Sequence, residues 1–497
     1  MCRKLNLEET SMKKNFLTVA AMTVVAFFVS AEIAKAADIT FSGQVRTRWE
    51  IAEHIGGGAV HGQGDADSPG FNNQPDDFIN SSVRLAAHAK MNESASAFIQ
   101  MQSNRTWGDT NTKTDGGGSG QSSGQANNQD SSVGIHQAYF TLKNFANIPM
   151  GWDVKVGRQE IKLDGWRLFG NTIWTMGMQT HDAVRMTHKH DNVTMNLAYI
   201  LRGEDGRDQD QDDANDFDVY LAHLNLKGVL GGQFSGYYVY SDNGCNPDTG
   251  VVDANQGGCN TGNDDFHTIG GRQAGNMFGL KYRVEAYYQF GEANGIATDN
   301  GGAATAGASV DRAAYMYGVR LTKAFNNVTF KPAVTLWYDY VSGTSDQDQR
   351  DGKWKSFDTL YDTGHKYYGL QDMYLGLGQG GATGTQGLGL QDLAVKLKMN
   401  PIAGWTLKAD YHYFYTAESV NANTTTRGVA NNASTIDDSH FLGNELDITA
   451  ISKINSATKV MIGYSNYSGS SSFRLLKGAA VAAADANWAY VQFDVKF

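Results

Sequence analysis

Apolar and polar residues alternate through eighteen separate segments of this chain, and the links between those segments are by turns short and long. A period of two is the mark of a β-strand. The first segment is the clearest: Ile39, Phe41, Gly43, Val45, Thr47, Trp49 and Ile51 make one face, and Thr40, Ser42, Gln44, Arg46, Arg48 and Glu50 make the other. Further strands are expected at 79–90, 95–103, 133–143, 152–158, 181–189, 192–202, 216–226, 233–241, 265–272, 277–290, 313–323, 328–340, 391–400, 404–415, 443–453, 457–466 and 487–497. The segment 278–290 puts Phe278, Leu280, Tyr282, Val284, Ala286, Tyr288 and Phe290 on one face.

Short links fall near 91–94, 144–151, 190–191, 227–232, 273–276, 325–327, 400–403 and 455–456. Long ones fall near 52–78, 104–132, 159–180, 203–215, 242–264, 291–312, 341–390, 416–442 and 467–486. Strict alternation puts all turns on one rim and all loops on the other. An even strand count puts both termini on the turn side, as in a membrane-spanning, antiparallel up-and-down β-barrel with periplasmic turns and extracellular loops. A soluble antiparallel sandwich shows the same alternation, but nothing in it calls for such asymmetric links.

The two ends agree with a barrel. Lys13 and Lys14, the apolar run from Phe16 to Val29, and Ala34-Lys35-Ala36 have the form of a secretory signal. The run is too short for a spanning helix, which needs about 20 residues. Residues 1–36 are therefore expected to be cleaved, and 37–497 to form one outer-membrane barrel domain. Met12 is a plausible second start. At the other end, Ala489, Val491, Phe493, Val495 and Phe497 alternate with Trp488, Tyr490, Gln492, Asp494 and Lys496. A period-two strand ending in Phe497 looks like the closing strand of a bacterial outer-membrane barrel, with Phe497 as a signal to the barrel-assembly machinery.

Composition fits the same class. Gly is 57 of 497 residues, Pro only 6, and Tyr and Phe are 23 each, which suits twisted strands and aromatic girdles. The formal net charge is −11. Residues 1–36 hold five basic and three acidic groups, so their removal takes it to −13. That acidity argues against a nucleic-acid partner. Lipid and lipopolysaccharide are the partners a barrel wall would meet, and a monomer is the default. Cys245 and Cys259 share one Gly/Asn/Asp-rich loop and are expected to form a disulfide. No cofactor motif appears.

The stretch 156–186 reads VGRQEIKLDGWRLFGNTIWTMGMQTHDAVRM. Its Gly157-Arg158-Gln159, Arg167-Leu168, Trp174 and Asp182 resemble the alginate-export family of outer-membrane proteins. The resemblance implies an eighteen-strand barrel that exports an anionic uronate polymer through an Arg-lined pore.

Pore function needs a hydrated lumen whose charges set selectivity. Alternation assigns Arg46, Arg48, Arg84, Arg185, Lys281, Arg283, Arg320, Lys331, Lys396, Lys398 and Lys408 to polar, inward faces, with Glu50, Glu285, Asp339, Asp410 and Asp447. Arg158, Arg167 and Asp182 of the motif join this pore-lining set, either contacting cargo or anchoring loop 159–180 folded into the lumen. The basic excess inside would attract an anionic saccharide. The alternative role for each residue is a salt bridge bracing the barrel. His181, His188 and His190 read as a solvated cluster near one turn, and the acidic run 204–213 as a solvated loop, so no metal site is expected. No catalytic triad, phosphate loop or zinc-protease motif is present, so a barrel-embedded enzyme is disfavoured. A general porin for small ions and nutrients, and a loop-mediated adhesin, remain alternatives to an anionic-saccharide channel.

Overall fold

The structure, a computed structural model, describes residues 38–53, 76–107, 133–203, 217–243, 265–298, 304–345, 347–348, 351–377, 384–420, 439–477 and 485–497. Cys245, Cys259, the N-terminal segment 1–37 and the acidic run 204–213 lie outside the described residues.

Eighteen strands form one closed antiparallel wall. They are β1 (Asp38–Glu53), β2 (Asp76–Lys90), β3 (Ala95–Thr106), β4 (Gly134–Leu142), β5 (Trp152–Gln159), β6 (His181–His190), β7 (Val193–Gly203), β8 (Phe217–Val229) and β9 (Gly232–Asn243). The second half holds β10 (Phe266–Met277), β11 (Leu280–Thr298), β12 (Ala304–Ala324), β13 (Ala333–Val341), β15 (Leu390–Met399), β16 (Trp405–Val420), β17 (Ser439–Lys453), β18 (Thr458–Gly469) and β19 (Asp485–Lys496). A two-residue strand, β14 (Lys353–Trp354), lies off this wall and pairs in parallel with Asp311 and Arg312 of β12. Each wall strand pairs with its sequence neighbour, and β1 closes on β19 with Arg48 opposite Gln492. Closure leaves no unpaired edge in lipid.

Alternation sorts the wall as the sequence implies. On β11, Val284, Tyr288 and Phe290 are exposed outward, while Glu285, Tyr287 and Gln289 are buried inward. Outward rings from successive strands stack in register: Tyr199 on Tyr220, Tyr220 on Tyr240, Tyr240 on His267, and His267 on Phe290. Such aromatic rows mark the edge of the lipid-facing band.

Three turns differ from expectation. The β10–β11 link is Phe278-Gly279, not 273–276, and Phe278 stands 92% exposed at its tip instead of on a strand. Phe278 and Gly279 both have positive φ (52° and 72°), the backbone of the two-residue hairpin that matches strand twist. Leu230-Gly231 repeats this geometry between β8 and β9. β13 begins at Ala333, not 328, because Pro332 has no N–H for a ladder. Lys331 therefore sits exposed in the turn and does not line the lumen.

The main apolar core lies inside the barrel. Ile161, Leu163, Leu168 and Phe169 of the loop after β5 pack with Phe357, Tyr361, Tyr367, Tyr368 and Tyr374 of the loop after β13. Wall residues Ile200, Val219, Val239, Met316 and Trp337 complete the cluster. Burial of each large side chain there contributes about 1.5–3 kcal/mol.

Candidate functional site

Backbone taken into a lumen without a ladder must find donors and acceptors elsewhere. Loop 160–180 meets this need with wall side chains. Arg46 donates to the carbonyls of Ile173 (2.6 Å) and Thr175, and Arg48 to that of Trp174 (3.0 Å). Arg84 donates to Met176 (3.3 Å) and Gln102 to Gly177 (2.8 Å). The Arg48 guanidinium also lies over the Trp174 ring and pairs with Glu50 at 2.6 Å. Four donors on β1, β2 and β3 thus hold five consecutive loop residues. The loop thus folds into the lumen, and these arginines anchor it there through its carbonyls.

The rest of the loop crosses the lumen. Arg167 donates to Glu285 of β11 (3.2 Å), to the Tyr368 hydroxyl (2.9 Å) and to Asp339 of β13, and stacks over Tyr367. Arg320 of β12 meets the same carboxylates, Glu285 at 2.8 Å and Asp339 at 3.0 Å. Two guanidiniums and two carboxylates therefore form a buried network, with Arg283 at its edge 3.8 Å from Glu285. Asp164 reaches His223 of β8 at 3.1 Å and Tyr237 of β9. Burial would raise the Asp164 carboxyl, but these hydrogen bonds hold it at about 2. Glu160 behaves alike: burial opposes its charge, and His136 and Lys162 hold it at about 2.

The described residues of loop 342–389 form a second inward element, which the strand pattern alone leaves as an ordinary loop. It pairs in parallel with the first at Phe169 and Tyr361, through Tyr361 N–H to Leu168 O (2.9 Å) and Gly170 N–H to Tyr361 O (2.7 Å). Lys366 donates to Gly165 O at 3.0 Å. On its other side, Leu370 and Gln371 donate their N–H groups to Glu445 of β17, at 2.6 and 2.9 Å. Gln371 also donates to Ala486 O of β19. The loops form one plug, tied on one side to the continuous arc of β17–β19 and β1–β3 and, through Asp164 and Arg167, across the lumen to β8, β11 and β13.

Below the plug, toward the turns, two cavities of 530 and 770 Å³ share Lys366 and Lys396. Gly231, Gly232 and Asn276 on their lining fix that side as the turn side. Thirteen Lys and Arg side chains line them against four Asp and Glu. The larger cavity has no acidic lining residue. Lys366, driven down to about 8 by burial and by the Arg283, Arg167 and Arg272 charges, reports that crowding.

The sequence-assigned residues divide accordingly. Arg46, Arg84, Lys281, Arg283, Arg320, Lys396 and Lys408 line the cavities. Arg48 and Arg167 are buried within plug contacts instead of facing open lumen. Arg185 faces inward onto Asn196 (2.7 Å), and Lys398 is exposed near the end of β15 beside the turn. Arg158 and Asp182 are corrections to the pore-lining set. They pair at 2.7 Å across β5 and β6, opposite Leu201 on the outward face shared with exposed Val184. One residue of parity decides this, and the pair clasps the base of loop 160–180 from outside the wall. The three histidines do not form one cluster, although His188 and His190 stack with ring centroids 6.3 Å apart. His181 is buried against Phe169 and Tyr361 at the loop end of β6, and His188 and His190 lie at its turn end. Lining residues not foreseen include Lys162, Arg272, Lys366, Lys459 and Lys496. Arg272 is legible by parity, two residues from Gly270 and four from Thr268; Lys366 is not, because no strand alternation assigns the side chains of its loop to a face.

A family model described as Alginate export matches residues 62–481. The chain belongs to the alginate export family. Solved structures of Pseudomonas aeruginosa OccK11 (OpdR) and OccD3 (OpdP) are similar, at 12% and 10% identity and TM-scores of 0.47 and 0.49. They cover 93% and 94% of this chain and 96% and 95% of their own. A variant of OccD1 (OprD) reaches a TM-score of 0.50 at 9% identity over 93% of this chain and 97% of its own, a likeness of fold alone. No curated protein matches. As a member of the alginate export family with a closed eighteen-strand barrel, the chain is a channel of the bacterial outer membrane. Conduction is the activity typical of this family.

Proposed function

We propose that this alginate-export barrel conducts anionic saccharides, with the carboxylate of a uronic acid as the group it selects. The thirteen-to-four excess of basic over acidic lining residues in the turn-side vestibule carries this reading. Several of these cations are ion-paired, but an excess of cations between low-dielectric walls still concentrates anions, and guanidinium forks suit carboxylates. The inward charge is opposite in sign to the chain's overall −11, so selectivity is a property of the lumen. We further propose that the barrel works as a monomer in lipid and lipopolysaccharide, and that Phe497 presents it to the assembly machinery.

A second reading, conduction of small solutes only, rests on loop 342–389. This loop thickens the plug and leaves the passage narrower than one inward loop would. Single-channel recording in a planar bilayer separates the two. Reversal potential under a salt gradient should report anion selectivity, with block by uronate oligomers that strengthens with length. Weak selectivity and indifference to oligomers would leave the small-solute reading.

A further inference from the structure

Five donors from three adjacent strands converge on one carboxylate of the plug. His223 Nε2 (3.1 Å), Asn225 Nδ2 (3.5 Å) and the Tyr237 hydroxyl meet Asp164, as do Gln233 Nε2 (3.4 Å) and, farther off, Arg272 Nη1 (3.8 Å). The cradle is built in the wall and does not depend on the loop. Asn196 donates to His223 Nδ1 at 3.1 Å, which leaves Nε2 as the N–H that faces the carboxylate. Arg185 in turn fixes Asn196.

The cradle also opens onto the vestibule. Gln233 and Arg272 line both it and the acid-free 770 Å³ cavity. Arg272 Nε and Nη1 and Arg283 Nε are buried without a hydrogen bond; Nη1 of Arg272 and Nε of Arg283 have only ion pairs at 3.8 Å, to Asp164 and Glu285. Buried N–H groups left unpaired are costly, so the site holds more donor capacity than Asp164 uses.

We propose that this cradle is a uronate-carboxylate subsite of the channel, filled by Asp164 when the plug is seated. The inference rests on the anionic-saccharide reading and names one site within it. An incoming uronate takes the place of Asp164 on the same donors and releases that corner of loop 160–180. The plug's carboxylate is then a stand-in for the cargo's.

The test uses the full-length barrel in planar bilayers with D-glucuronate as probe, and glucose and inorganic phosphate as controls. Asp164→Ala empties the cradle, so the glucuronate concentration for half-block should fall at least tenfold, with glucose inert. Adding Arg272→Gln to that variant should remove the gain. Asp164→Asn, which keeps the side-chain shape, should give a smaller gain and covers a folding failure of the alanine variant. If Asp164→Ala changes conductance but not glucuronate potency, Asp164 is an anchor only and the inference falls while anion selectivity stands. Phosphate acting as strongly as glucuronate overturns it too. A wild-type channel without anion selectivity, with no variant that responds to glucuronate, removes both the inference and the reading beneath it.

Discussion

Arg167, on the loop that follows β5, donates to Asp339 of β13, eight strands away around a ring of eighteen. That single side chain spans the lumen. Arg320 shares the same carboxylates, so each anion faces two guanidiniums. Replacing Arg167 with Ala leaves Glu285 and Asp339 buried with Arg320 between them and Arg283 only at 3.8 Å from Glu285. Removing one partner of a buried pair costs about 3–5 kcal/mol, and here the cheapest relief is for the loop to leave. Arg167→Ala should therefore raise single-channel conductance and expose loop 160–180 to protease, with the barrel still folded. Arg167→Lys should not rescue, because an ammonium cannot donate to Glu285, Tyr368 and Asp339 while stacked on Tyr367. Unchanged conductance in Arg167→Ala would mean the network braces the wall and not the plug.

The plug should respond to pH on both sides. Asp164 and Glu160 sit near 2, below their ordinary values. The stability they lend is present above those ordinary values and lost as pH falls toward about 2, of order 2 kcal/mol for Asp164. Asp362 of the second loop runs the other way, pushed up to about 8 by burial first and by Asp358. It is neutral when seated, so plug stability declines as pH rises from the ordinary aspartate range through about 8, by about 1.4 kcal/mol per unit. Open probability should thus be lowest near about pH 4 to 5 and rise in both directions. Asp164→Asn should flatten the acid limb and Asp362→Asn the alkaline one, each read from recordings across pH. A monotonic profile in wild type would contradict the assignment.

Vestibule charge makes a separate prediction. Lys408 and Lys459 line the smaller cavity near the turns, away from the plug's anchors. Lys408→Glu with Lys459→Glu should shift the reversal potential toward cations and weaken uronate block, with little change in barrel stability. Exposed side chains in water contribute little to folding. No shift would place the selectivity filter elsewhere.

Much of this was legible in the residues. The wall strands follow from alternation, because a barrel in lipid must keep period two on every strand. Errors came where a local backbone preference overrides side-chain pattern: positive φ at Phe278-Gly279 and the missing N–H of Pro332. Parity placed most lumen residues, but the Arg158–Asp182 pair shows how one step at a strand end reverses a face. The first inward loop carried a sign in Ile161, Leu163, Leu168, Phe169 and Trp174, too apolar for a solvated loop. Loop 342–389 carries the same sign in Phe357, Tyr361, Tyr367, Tyr368 and Tyr374, although its length alone suits an ordinary surface excursion. The cross-lumen bonds had no sequence signal, since their partners are more than a hundred residues apart.

The seam where the barrel closes offers the last prediction. Phe497 exchanges both backbone hydrogen bonds with Gly43 of β1, at 2.7 and 3.0 Å, one step beyond the end of β19. Its ring lies over Gly43 so closely that a Cβ there would run into it. Gly43 is thus a seat for the terminal ring, and glycine is needed for close approach, not for its backbone freedom. Gly43→Val should push the ring off the seam while leaving the β1–β19 ladder from Gln44 to Glu53 intact. Closure should slow several-fold in refolding into lipid vesicles, read from the heat-modifiable gel shift, with normal conductance once folded. Phe497→Ala, which removes the ring but keeps Gly43, should give a similar delay, and the double variant should be no slower than either single one. Additive delays would mean that the ring and the glycine act separately.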